Sequence, residues 1–299
     1  MKIESIAITN VGYIRDNNED NFFLCGQYKE DVGENNLVCT YDAAAEEYLF
    51  GVCDGMGGAQ YGELAALIAV KTMSKYADRF DAACQECIDE ANGLICDEIT
   101  SRGGRRIGTT FAALSIRGSV ARIYNVGDSR VYMLRGGKLS QLSVDHTQVQ
   151  MLVNQGIITP EAAKTHRDRH VLTQHLGIFP DEMIIEPYST DEIGLQAEDL
   201  FLLCSDGLTD MVENEKICEI LSAGDDVAAM ANRLVDTALS NGGRDNVTVV
   251  LVKASKESSI EADLADIEQR LRNRVTEKFG KVNEALIAEV MQKVKERMK

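Results

Sequence analysis

A chain of 299 residues with 44% hydrophobic content is long enough for one large core or two modest ones, and nothing in its composition points to disorder. A formal net charge of −17 argues against nucleic acid as a partner, because phosphate backbones are held by basic surfaces. No run approaches the roughly 18 consecutive apolar residues of a membrane span, and the opening MKIESIAITNVGYIRDNNED lacks a basic and then apolar leader, so the chain reads as cytoplasmic and not membrane-bound.

Strand patterns come first: IESIAIT, NFFLC, NLVCT and YLFGVC, rich in β-branched and aromatic residues and broken by Asn, Gly and Asp. Two helical patterns follow. One runs from about Glu63 to Phe80 with Leu64, Leu67, Ile68 and Met73 on one side, the other from about Ala82 to Thr100 with Cys87, Ile88, Ala91, Leu94 and Ile95. Cys84 and Cys87 form a CxxC inside the second pattern, but no second ligand pair follows, so they read as a packed helix face and not as a zinc site. The eight cysteines, irregularly spaced and mostly within apolar runs, indicate a reducing compartment.

Three more strands follow, TTFAALSI, SVARIYNVG and RVYMLRG, the last turning through Gly136-Gly137 into KLSQL. Residues 145–190 hold all four histidines and all three prolines, with one short helical pattern at 147–156, and are expected to form a surface flap. Within it His166 and His170 have the i, i+4 spacing that on a helix suits zinc. No third ligand of known geometry lies nearby, and a solvated flap is the preferred reading. His146, beside Asp145, receives no role. The strand LFLLCSD, helical stretches at about 213–222 and 226–240, and the strand NVTVVLV close the unit. Strands then paired helices, twice over, lack the strict alternation of a doubly wound sheet and indicate an α+β sandwich with antiparallel sheets inside and helices outside.

From Lys256 the character changes. Ile260, Leu264, Ile267, Leu271, Val275, Phe279, Val282, Leu286, Val290, Val294 and Met298 step by three or four residues with charges between them, which predicts an amphipathic helix, or two hinged near Gly280. This tail, 256–299, carries +1, so residues 1–255 carry −18. Self-docking, self-association and partner binding are its candidate roles.

Acids stand where the apolar runs stop. Asp54 follows YLFGVC, Asp128 follows RIYNVG, Asp206 follows LFLLCS, Asp245 precedes NVTVVLV, and Glu19 and Asp20 precede NFFLC. A single such acid is an ordinary turn former. Five strand ends sharing the pattern predict carboxylates converging at one end of a sheet, where repulsion keeps them from all being ionised unless cations neutralise them. Clustered oxygen donors suit Mg²⁺ or Mn²⁺, and two such ions about 3.5–4 Å apart would activate water and stabilise charge at phosphorus, which predicts metal-assisted hydrolysis. Arg15, four residues before Glu19, is a candidate for gripping an anionic substrate.

RDNNEDNF, GVCDGMGG, GTTFAAL, NVGDSRVYML, SVDHT, LCSDGLTDMV and GGRDNVTVVLV, in that order, resemble the PPM-type (type 2C) family of metal-dependent Ser/Thr protein phosphatases in its compact bacterial form, across about residues 3–253. The resemblance implies a four-layer α-β-β-α sandwich, two antiparallel sheets face to face with helices outside. It also implies a phosphatase of phosphoserine and phosphothreonine that acts through a metal-bound water and opposes a bacterial Ser/Thr kinase. On the matching positions, Asp54 would bridge two metals, Gly55 would offer its carbonyl to the first, and Asp206 and Asp245 would bind the second. Glu19 would act through water, Asp20 would support the loop, and Arg15 would hold the substrate phosphate. Bacterial relatives often bind a third, weaker metal, for which Asp128, Asp206 and Asp210 match. Where eukaryotic members commonly have a proposed general-acid histidine, this chain has Met56, so the proton must come from elsewhere. Two other readings stay open here: a signalling adaptor working through its tail, and a metal-dependent nuclease, which conflicts with the charge.

Overall fold

The structure, a computed structural model, describes residues 1–57, 61–256, 267–269, 271–275 and 284–297. Strand β4 (Glu47–Cys53) shows how its layers arise. Side chains alternate across a strand, so Phe50 and Val52 fall on one face and Leu49 and Cys53 on the other, and both sets are buried in different apolar clusters. A continuous apolar run such as YLFGVC is what a strand covered on both faces requires.

Two antiparallel sheets are built from such strands. The first has the order β10 (Lys138–Gln141), β9 (Arg130–Arg135), β13 (Leu200–Cys204), β14 (Val247–Ser255), β1 (Lys2–Asn10), β3 (Asn36–Tyr41). The second runs β11 (Tyr188–Ser189), β8 (Val120–Val126), β7 (Phe111–Arg117), β4, β2 (Asn21–Leu24), with β12 (Ile193–Gly194) also on β8. Between the sheets lie Phe22, Phe50, Leu114, Phe201, Leu203, Val250 and Val252. Outside the second sheet, Leu49, Cys53 and Phe111 pack on helices α1 (Gly62–Tyr76) and α2 (Phe80–Ser101). Outside the first, Ile6, Leu202, Val249 and Leu251 share a cluster with residues of α6 (Asn214–Leu221) and α7 (Val227–Ser240). Three apolar cores therefore separate four layers, the expected α-β-β-α sandwich.

The helix faces differ from expectation. On α1 the buried residues include Ala65, Ala66, Ala69, Val70 and Met73, while Leu64 and Ile68 are only half-buried. The small residues let the helix lie close on the sheet: a Cβ on Gly51 would come within 2.4 Å of the Met73 methyl. On α2, Leu94 is 43% exposed and Cys84, Asn92 and Cys96 are buried instead. All eight cysteines are free, and Cys84 and Cys87 are packing residues. The Gly136-Gly137 turn has positive φ at both positions, as a two-residue hairpin requires.

The chain divides into two compact units, Met1–Ser255 and Lys256–Lys299. Within the second, Val275, Ile287 and Met291 form a small apolar cluster with Ile267 and Leu271, and Arg272 bonds Glu284 at 2.7 Å. A helix spans Glu284–Arg297. Gly58 in the glycine run and Ile260, Leu264, Phe279, Gly280, Val282 and Met298 of the tail lie outside the described residues, as does the side chain of Leu286. Among the described residues no helix is long and apolar enough to cross a membrane.

Candidate metal centre

The strand ends named above meet at one edge of the sandwich. A cavity of about 480 Å³ there is lined by Arg15, Glu19, Asp54, Gly55, Met56, Asp128, His170, Asp206, Asp210 and Asp245, among others. Asp20 lies behind it, fully buried.

Each acid is placed by a local device. Asp54 ends β4, and its backbone is clamped: its N–H donates to Thr110 Oγ1 at 2.8 Å, and its carbonyl accepts from Thr109 Oγ1 and the Thr110 N–H, both at 2.9 Å. The next residues form a two-residue strand β5 (Gly55–Met56) against β6 (Gly108–Thr109). A Cβ on Gly55 would lie 2.3 Å from the Gly62 carbonyl oxygen and 2.4 Å from that of Glu19, so the chain passes too close for any side chain. Asp128 follows Gly127, whose φ of +98° turns the chain from β8 into β9. Asp206 opens a short helix, α5 (Asp206–Thr209), directly after β13.

Behind these acids runs a buried polar chain. Asp20 accepts from Ser205 Oγ and Thr248 Oγ1, each at 2.7 Å, Thr248 Oγ1 meets Thr9 Oγ1 at 2.7 Å, and Asn18 Nδ2 donates to Thr9 Oγ1 at 2.8 Å. Lys29, 1% exposed, donates from Nζ to the Asn18 carbonyl at 2.6 Å. Asn246 accepts the Glu19 N–H at 2.8 Å and donates to the carbonyls of Val11 and Asn17, both at 2.9 Å. The loop carrying Arg15 and Glu19 is thereby tied to the strand that follows Asp245. Asn18, Ser205, Thr248 and Asn246 sit inside motifs quoted above yet received no role there. Their partners are remote in sequence, and no local pattern shows them.

Electrostatics follow from this crowding. Burial and then repulsion from the neighbouring acids push Asp54 and Asp206 well above the ordinary aspartate range. Asp128 rises to about 7, through burial and then Asp145, and Asp20 to about 6, through burial. Glu19 is raised by burial and by Glu63, against the Gly62 N–H that bonds its carboxylate. Six carboxylates line the cavity, and Arg15 is the permanent cation among its described lining residues. This donor set is all hard oxygen apart from one imidazole, and it fits divalent cations of the Mg²⁺ and Mn²⁺ kind.

Arg15 is half-exposed and donates from Nη2 to Asp245 Oδ2 at 2.7 Å. The two histidines at i, i+4 are not on a helix. Residues 166–170 form turns, His166 Nδ1 accepts the Asp168 N–H at 3.2 Å, and His170 alone of the pair reaches the cavity. His146 gains a clear position. Its N–H donates to the Gly127 carbonyl at 2.9 Å and its Nδ1 accepts the Gly127 N–H at 3.3 Å, while burial lowers its pKa and favours the neutral ring that can accept. Beside the acid cavity lies a larger cleft of about 590 Å³ between the flap helices α3 (Gln148–Asn154) and α4 (Pro160–Lys164) and the α5–α6 segment. It shares Asp128, His170, Asp206 and Asp210 with the cavity.

A family model described as protein phosphatase 2C matches residues 38–251. The chain belongs to the protein phosphatase 2C family. It is 36% identical over 230 residues to the serine/threonine protein phosphatase PstP of Mycobacterium tuberculosis, covering 74% of this chain and 42% of that one. It is 34% identical over 258 residues to the serine/threonine phosphatase stp of Listeria monocytogenes, covering 82% of this chain and 93% of that one. The chain thus spans less than half of the mycobacterial relative and nearly all of the listerial one. A solved structure of the PstP catalytic domain in complex with two manganese ions is 32% identical at a TM-score of 0.70, over 85% of this chain and 99% of that one.

Proposed function

We propose that this family member is a divalent-metal-dependent protein phosphatase that hydrolyses phosphoserine and phosphothreonine esters on proteins, in a reducing, cytoplasmic setting, and opposes a bacterial Ser/Thr kinase. The observation that carries the reading is the meeting of six carboxylates and Arg15 around one cavity at the edge of a sandwich of this family. The eight free cysteines support the reducing setting.

The metals are Mn²⁺ or Mg²⁺, two per chain, by analogy with the two manganese ions of the PstP domain. When bound, such ions neutralise phosphoryl oxygens and lower the pKa of a coordinated water to near neutrality. The protein's own part is to hold the donors. Asp54 would serve both ions, Gly55 would offer its carbonyl to the first, Asp206 and Asp245 would hold the second, and Glu19 would act through water. Asp20, held by Ser205 and Thr248, braces the loop that carries Glu19. A third, weaker ion would be held by Asp128, Asp206 and Asp210. Arg15 has five N–H donors, of which Nη2 is engaged by Asp245, and its fork grips the substrate phosphate at the mouth. Met56 lines the cavity and its thioether has no proton to donate, so the leaving alkoxide is protonated from solvent or from another group.

The test is hydrolysis of a phosphothreonine peptide and of an aryl phosphate with Mn²⁺ and with excess chelator. Turnover present with the ion and abolished by chelator is expected. Turnover unaffected by chelator, or none under either condition, contradicts the proposal.

A further inference from the structure

The loop that carries Arg15 presents two large apolar side chains to solvent. Tyr13 is 69% and Ile14 68% exposed, and they directly precede the residue whose guanidinium reaches the acid cavity. Apolar residues scattered singly over a surface are ordinary. A pair beside the proposed phosphate anchor is a different case, because an extended chain advances only about 3.3 Å per residue. Side chains close to a phosphoresidue held by Arg15 therefore pass within reach of its two neighbours.

The backbone holds this pair in place. Asn246 donates to the carbonyls of Val11 and Asn17, both at 2.9 Å, and so closes the loop at its two ends. Within it residues 12–14 form a turn, in which Gly12 has a φ of +78° and a Cβ there would lie 2.3 Å from the Asp245 carbonyl oxygen. The Tyr13 N–H donates to the Gly243 carbonyl at 2.7 Å. Its ring lies against that residue, since a Cβ on Gly243 would be 3.1 Å from Tyr13 Cδ2. The turn is thus pressed onto 243–245, the segment whose Asp245 also fixes Arg15 at 2.7 Å. An apolar surface set in advance loses little conformational freedom when a ligand covers it.

We propose that Tyr13 and Ile14 form a docking surface for a large apolar side chain of the substrate, within about three residues of its phosphoserine or phosphothreonine, and so give the site a sequence preference. Six carboxylates around the cavity repel acidic flanking residues, whereas this patch rewards burial of apolar ones. The inference rests on the phosphatase reading above and adds which substrates that site favours.

The test measures kcat/KM of the full-length protein with Mn²⁺ on a phosphothreonine peptide flanked by serines, and on six versions with one leucine at each position from −3 to +3. Leucine at one or more positions is expected to raise kcat/KM about tenfold over the serine parent. Ile14→Ser should cut that preference to about threefold, and Ile14→Ser combined with Tyr13→Ser should abolish it. Val38→Ser, at an exposed apolar position on β3, should keep it in full. Each ratio is taken on one preparation, so any inactive fraction of a variant cancels. Equal turnover of all seven peptides by the wild type, a preference that survives the double variant, or an equal loss in Val38→Ser overturns this inference alone. Absence of metal-dependent turnover on every peptide contradicts the proposed function, and this inference with it.

Discussion

The sandwich rim and the flap meet at the same cavity but hold their side chains by different means. On the rim, Asp54 directly follows and Asp206 lies two residues after a strand with neighbours on both sides, Asp245 lies two residues before another, and Asp128 sits in the turn between β8 and β9. Buried hydroxyl and amide groups brace the loops from behind. In the flap, two helices of seven and five residues, each capped by a threonine, hold the chain, and residues 171–173 return to 146–148 by single backbone bonds. The rim can therefore keep like charges together against their repulsion, whereas the flap is held by shorter elements and fewer bonds.

The sharpest way to break this division is Asp206→Asn. It should lower metal-dependent turnover by about a thousandfold or more, roughly 4 kcal/mol of barrier, and raise the melting temperature of the metal-free protein, because it removes a charge that its neighbours repel. A variant that stays active, or a metal-free form that melts lower, contradicts the rim account. Arg15→Ala should cost about 10- to 100-fold in kcat/KM for a phosphopeptide, mostly through KM, if its fork grips the substrate phosphate as proposed. Steady-state kinetics at saturating Mn²⁺ decide it.

Next in size is a pH effect on the chelated protein. Asp128 near 7 and Asp20 near 6 are raised from an ordinary value of 3.8. Between these values the folded state binds more protons than the unfolded one, so stability falls as pH rises from about 4 to 7, and Asp54 and Asp206, raised in the same direction, add to the fall. Added Mn²⁺ should reverse the trend, because the ion binds the deprotonated carboxylates. Denaturant midpoints across that range measure both arms, and a chelated protein that gains stability with pH rules the account out.

A smaller and local effect is expected from Thr147→Ala, which deletes the oxygen that accepts the Gln150 N–H at the head of α3. The loss is about 0.5–2 kcal/mol, read as faster hydrogen exchange in 148–154, with exchange in β13 and β14 unchanged. If exchange accelerates in those strands as well, rim and flap are one cooperative unit. Smallest of all, removing 256–299 should leave turnover within about twofold, since the described residues that line the acid cavity belong to the first unit. A large loss would give the tail a catalytic role.

The layers and the acids were legible because both are written locally. YLFGVC, LFLLCS and NVTVVLV announce strands buried on both faces, and a carboxylate at their ends, beside glycine for Asp54 and Asp206, marks where those strands deliver charge. Asp54, Gly55, Asp128, Asp206, Asp210 and Asp245 do gather at one cavity. What was not legible depends on partners far along the chain. Leu94 fits a helical stripe yet faces solvent, while Asn92 is buried because its side chain accepts the Gly177 N–H at 2.7 Å and donates to the Ile178 carbonyl at 2.8 Å, more than eighty residues away. His170 reads as half of an i, i+4 pair, and only the turn at 166–170 separates it from His166 and turns it towards Asp206. Asn246 and Ser205 look like ordinary polar neighbours of an acid until the loops they hold are in place.

Anomalous diffraction at the manganese edge, from crystals of the full chain soaked in Mn²⁺, tests the central claim most directly. The account predicts two strong peaks in the cavity, one flanked by Asp54 and Gly55 and the other by Asp54, Asp206 and Asp245, with a weaker third beside Asp128. Manganese bound elsewhere, or a cavity without peaks at saturating Mn²⁺, would contradict it.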